Sequence, residues 1–87
     1  MISKVFCIYD SKVEAYLPPH MARTRGEVIR AITAALADDK HQFSKTPGDY
    51  TLFELGTWDD SNAMYNLHSS PVSVGVLIEF KKDPVHG

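Results

Sequence analysis

Cysteine is nearly missing from this chain: one residue in 87, alongside one tryptophan, five glycines and five prolines. One cysteine excludes an internal disulfide framework and suits folding in a reducing cytosol. Long apolar runs are missing too. A spanning helix needs about 20 apolar residues, and the longest comparable stretch, Val72 to Ile78, is interrupted by Ser73 and Gly75. Val5 to Tyr9 is apolar, but far too short for the apolar region of a signal peptide. No excess of one charge exists either. Nine Lys and Arg against eleven Asp and Glu leave −2, which excludes a histone-like or polybasic protein. Internal repeats, low-complexity tracts and linkers are also lacking. The expectation is one domain over residues 1–80, followed by a flexible tail over 81–87.

What is present reads as an α+β fold. Residues 3–9 are apolar on both faces, as in a central strand covered on both sides. Asp10-Ser11-Lys12 suits a turn, and the alternation of Val13 to Leu17 predicts a second strand, ended by Pro18-Pro19. That alternation places Lys12, Glu14 and Tyr16 on one face. Thr24 and Glu27 have capping-box spacing. Val28, Ile29, Ile32, Ala35 and Leu36 then form one apolar stripe, predicting an amphipathic helix over 25–37. Thr46-Pro47-Gly48-Asp49 fits a type II turn with positive φ at Gly48, and Phe43 is expected to pin the surrounding loop. Residues 50–58 predict a strand with Phe53, Leu55 and Thr57 opposed to Leu52, Glu54 and Trp58. Met64 to His68 predicts a shorter strand, broken by Ser69-Ser70-Pro71, and Val72 to Phe80 stays open between strand and short helix. The sum is a small antiparallel sheet of four to five strands with one amphipathic helix on one face.

Catalytic chemistry is poorly represented. Cys7, between Phe6 and Ile8, reads as a small buried hydrophobe without an activating base. His20, His41, His68 and His86 lie in four separate segments without local metal-ligand spacing. Asp38-Asp39 and Asp59-Asp60 sit among loop formers and read as solvated turns. The glycines have no phosphate-cradling pattern. No enzyme, metal or cofactor is expected.

Charge is unevenly placed. Residues 1–45 carry seven basic and five acidic side chains, whereas residues 46–87 carry two basic and six acidic. Arg23, Arg25 and Arg30 gather at the helix start, with Lys40 and Lys45 beyond its end. A helix N-terminus favours anions, and arginine suits bidentate phosphate contact. Lys12 beside Tyr16 would set a cation next to a stacking ring. The same residues also read as an ordinary solvated face, with Glu27 and Arg30 as an i,i+3 pair.

Three blocks in fixed order resemble one family. They are Ile8-Tyr9-Asp10-Ser11-Lys12 with Ala15-Tyr16-Leu17-Pro18-Pro19, then Ala22 to Arg30, then Phe43 to Asp60. Together they are similar to the small nonstructural protein of gokushovirus-type microviruses, single-stranded DNA phages. Gly48 and Val28 depart from that pattern. The resemblance implies a non-virion, DNA-binding protein of the host cytoplasm. Its role would be to help switch double-stranded replication to single-stranded genome synthesis and packaging. The family resemblance supplies no contact residues. The charge pattern assigns nucleic-acid contact to Arg23, Arg25, Arg30, Lys40, Lys45, Lys12 and Tyr16. The expected partners are viral DNA, single-stranded above all, and a second copy of the chain, with no membrane. The rival is an adaptor acting on the replication initiator or procapsid. It would work through the acidic Asp49, Glu54, Asp59 and Asp60, or through an apolar patch around Trp58 and Tyr65.

Overall fold

The computed structural model describes residues 1–81. Its centre is the strand the sequence makes apolar on both faces, β1 (Ile2–Asp10), in which Val5, Phe6, Cys7 and Ile8 are all buried. Along one side of β1 run two short strands, β2 (Ala15–Tyr16) and β3 (His20–Ala22). Along the other lies β4 (Tyr50–Asp59), which pairs in turn with β5 (Met64–Val76). All pairings are antiparallel. Helix α1 (Arg25–Ala37) packs across one face, burying Ile32 and Leu36 against Phe6, Ile8, Tyr50 and Leu52. Leu77, fully buried, closes this core from the C-terminal side. The fold is α+β, as the patterning predicts.

Helix α1 has the expected bounds, and its start is chemically explicit. Thr24 keeps an extended backbone and its Oγ1 accepts from the Glu27 amide at 3.1 Å. The Glu27 carboxylate turns back to the Arg23 amide at 3.5 Å, one residue beyond a standard capping box.

Several expectations are corrected. The turn expected at Asp10-Ser11-Lys12 runs on through Val13 and Glu14, where the alternation predicts the second strand to open. Glu14 takes a left-handed φ of 56° and the Asp10 carboxylate accepts from the Lys12 amide. Lys12 therefore does not alternate with Tyr16 along a strand. Pro18-Pro19 follows the end of β2, as expected, but does not end the sheet edge. Pairing to β1 resumes at His20 with the register shifted by one residue, so the prolines bulge an edge strand that needs no amide from them. Residues 47–49 are a 3-10 turn closed by the Asp49 amide on the Thr46 carbonyl, and Gly48 has no positive φ. Proline at the first position presets a right-handed turn, which removes the need for a left-handed glycine. Just before it lies a short unforeseen helix, α2 (Gln42–Lys45), from which Phe43 packs on the core.

Strand β4 contains the correction with most consequence. Phe6 faces Glu54 but Val5 faces Gly56, so Leu55 is an extra residue without a partner on β1. A one-residue bulge flips everything beyond it to the other face. Trp58 therefore lies with Phe53, not with Leu52 and Glu54, and Thr57 lies on the α1 side. Opposite Leu55, residues 68–71 of β5 bulge out together, between the Gly56–Leu67 and Glu54–Val72 pairs. The expected break at Ser69-Ser70-Pro71 is thus a loss of pairing within one strand. Beyond it Val72 to Val76 pairs again, with Val74 bulged out between the Phe53–Ser73 and Leu52–Gly75 pairs, and Leu77–Phe80 forms a 3-10 turn. Of the expected tail, Lys81 donates to the Ser44 carbonyl at 3.3 Å, and residues 82–87 lie outside the described residues.

Candidate functional site

The seven residues assigned to nucleic-acid contact do not form one patch. Arg23 and Arg25 flank the cap of α1, Arg30 lies one and a half turns along it, and Lys40 and Lys45 follow its far end. A 13-residue helix spans about 20 Å, so these cations are strung along an edge rather than gathered. Tyr16 stands on the other side of the sheet. It pairs with Tyr9 and packs against Tyr9 and Phe53 at ring-centroid distances of 4.8 and 5.8 Å. Tyr9 and Phe53 alternate with Ile8 and Leu52, which face α1, so the tyrosine and the arginines look in opposite directions.

Arg25 is already engaged. Its Nε donates to Glu54 Oε1 at 3.0 Å, and Lys4 Nζ reaches the same oxygen at 3.3 Å. His68 Nε2 lies 2.7 Å from the other oxygen, Oε2. Glu54 is only 5 % exposed, yet it is surrounded by donors from three distant segments. The hydrogen bond from His68 does most to hold its carboxyl down at about 2. Arg25 and Lys4 act in the same direction, against the upward push of desolvation. Lys4, Arg25 and His68 were separated from Glu54 by 50, 29 and 14 residues, so no local motif announces the cluster. The available signal was a carboxylate in register with Leu52 on a strand face that should be apolar.

The rest of the cationic set is free of such ties. Arg23, Arg30, Lys12, Lys40 and Lys45 form no ion pair with any described residue. The expected Glu27–Arg30 pair is replaced by the contact of Glu27 with the Arg23 amide. With Thr24 and Glu27 occupying the first amides of α1 and Arg25 drawn to Glu54, the helix start is partly satisfied from within.

Of the acidic residues expected of an adaptor, Glu54 is withdrawn from the surface, and Asp59 and Asp60 are tied locally. Glu54 is buried, Asp59 accepts from the Ser61 amide and hydroxyl at 2.9 and 2.7 Å, and Asp60 holds the N-terminal amine at 2.7 Å. The apolar patch, by contrast, is there. Ser3, Trp58 and Tyr65 lie side by side across three strands, as do Val5, Gly56 and Leu67. Tyr65 and Leu67 are 55 % and 58 % exposed. Further along this face a shallow groove of about 280 Å³ is lined by Cys7, Tyr16, Leu17, Pro19, Leu55 and Pro71. Cys7 itself is buried and desolvation raises its thiol pKa, which leaves an unreactive sulfur.

Residues 3–80, from β1 to the last 3-10 turn, match the family of phage ORF5 proteins. The chain belongs to that family. No curated protein and no solved structure matches it. Membership covers every element of the fold, including the Glu54 cluster, the β4 bulge and the bare sheet face. Among the described residues of this phage ORF5 protein, no helix is long and apolar enough to cross a membrane.

Proposed function

We propose that this phage ORF5 protein is a nonstructural protein that binds single-stranded viral DNA in the host cytoplasm. There it would assist the passage from double-stranded replication to single-stranded genome synthesis. The observation that carries the reading is the placement of charge. Arg23, Arg30, Lys40 and Lys45 are exposed along the α1 side without an acidic partner among the described residues, and the opposite sheet face carries no charge. Guanidinium and ammonium groups left unpaired at a surface are available to phosphate, and the counterions they displace from DNA make such binding salt-sensitive. The gokushovirus-type resemblance of the three sequence blocks points the same way. Arg25 contributes less than its neighbours because Glu54 competes for it, and Tyr16 would need a strand of DNA that wraps the sheet edge.

Titration of labelled single- and double-stranded oligonucleotides at two salt concentrations tests this reading. The expected result is preference for the single strand and affinity that falls as salt rises. Absence of binding at low salt, or binding indifferent to salt, overturns it. The adaptor reading is favoured by one observation, the exposed patch around Trp58, Tyr65 and Leu67. Recovery of a phage replication or capsid protein on the immobilised chain after nuclease treatment, lost in Tyr65→Lys, would support it.

A further inference from the structure

We propose that the free edge of β5, from Met64 to Leu67, is where a second copy of this chain docks, strand against strand about a two-fold axis. Among the described residues β5 is the last strand in the sheet and pairs only with β4, so its outer backbone amides and carbonyls face away from the sheet. Every residue from Met64 to Ser73 is exposed, on both faces of the strand. Proteins that stay monomeric blunt such edges with charge, above all lysine. Here the opposite holds: from Ser61 to Ile78 there is no Asp, Glu, Lys or Arg, in a chain with 23 % charged residues. The Met64–Leu67 edge is in unbroken register with β4, uncharged and unguarded, whereas the 68–71 bulge interrupts the edge beyond it.

That lack of charge selects the occupant. A strongly charged partner would find no Asp, Glu, Lys or Arg along 18 residues, whereas a second β5 brings no like-charged side chain against Met64 to Leu67. Antiparallel pairing about a two-fold axis keeps each face continuous only if a residue meets its own counterpart. With Asn66 on the axis, Tyr65 lies against Leu67 of the second copy, and Leu67 against its Tyr65. Both are aromatic–aliphatic cross-strand contacts on the face that α1 leaves bare. Met64 adds apolar surface on the opposite side. The sheets of two copies then run as one, and the cationic edges of both α1 helices belong to a single particle. This pairing is independent of whether the chain binds DNA.

Light scattering on the full chain at about 100 μM, above a micromolar Kd, is expected to give twice the chain mass. Leu67→Lys, at an exposed position, should give the single-chain mass with an unchanged circular dichroism spectrum. Asn66→Cys should form a disulfide-linked dimer under mild oxidation, since opposed residues on paired strands stand about 4.5–5.5 Å apart. Arg23→Cys, on the far side, should not. A wild-type chain of single mass at that concentration overturns the proposal. So does a dimer that survives Leu67→Lys, or one whose Asn66→Cys form does not cross-link.

Discussion

Beneath α1 the sheet presents Phe6, Ile8, Tyr50 and Leu52, all buried, whereas its other face presents Tyr9, Phe53, Trp58 and Tyr65 with no helix above them among the described residues. Both faces are built from the same strands by simple alternation, and both are rich in apolar side chains. What separates them is charge and cover. The α1 side gathers Lys4, Arg25 and His68 around Glu54 and strings Arg23, Arg30, Lys40 and Lys45 along its rim. Among the described residues the bare side has no charge, and only the neighbours of Val5 and Cys7 keep those two from solvent. Fully burying a large apolar side chain stabilises by about 1.5–3 kcal/mol. Tyr65 and Leu67 leave most of that contribution unused in the isolated chain. The covered face therefore holds the fold, and the uncovered one is free to meet a partner.

The comparison breaks most severely at Gly56, where β4 passes from the covered body to the bare arm. Its φ is +150°, and a Cβ there would run into the Asn66 carbonyl and come within 2.6 Å of Leu67 Cα. Gly56→Ala should destabilise by about 3 kcal/mol or more, since strain and lost β4–β5 pairing act together. Urea unfolding would show it as a lower midpoint. Next in size is Leu52→Ala, which empties the centre of the covered face and should cost about 3 kcal/mol. Its counterpart on the bare face, Leu67→Ser, should change the unfolding free energy of the single chain by no more than about 0.5 kcal/mol. Equal losses from the two would abolish the distinction between the faces.

Glu54 sharpens the comparison through pH. Its carboxyl is lowered to about 2 from an ordinary 4.5, so the folded state favours the ionised form. The resulting stability is complete above about pH 4.5 and is lost as pH falls toward 2. Because Lys4, Arg25 and His68 are each more than a third exposed, solvent screening reduces the contribution to about 1–2 kcal/mol. Glu54→Gln should lose that amount at neutral pH. Its stability should also fall less between pH 4.5 and 2 than that of the wild type.

The sequence made some of this legible and hid the rest for identifiable reasons. Helix α1 was readable to the residue because Thr24, Glu27 and the apolar stripe agree with one another. Strands β1 and β4 were readable because their apolar content exceeds what a loop can carry. The side on which Trp58 falls was not, because the Leu55 bulge adds one residue against β1 and reverses the alternation, with no turn residue to signal it. The Gly48 turn misled because proline and glycine at those positions serve a 3-10 turn as readily as a type II turn. Of the candidate site, the cationic residues were visible as composition. Which of them remain unpaired was not, since Arg25 meets Glu54 only after α1 and β4 are packed together.

The account rests on phosphate contact from the α1 side, and the salt dependence of binding to a single-stranded oligonucleotide tests it most directly. The slope of log K against log salt should be negative for the wild type and shallower by about 0.7 for each cation removed in Arg23→Ala/Arg30→Ala. A wild-type slope retained in that double variant, or no binding at low salt, would contradict it.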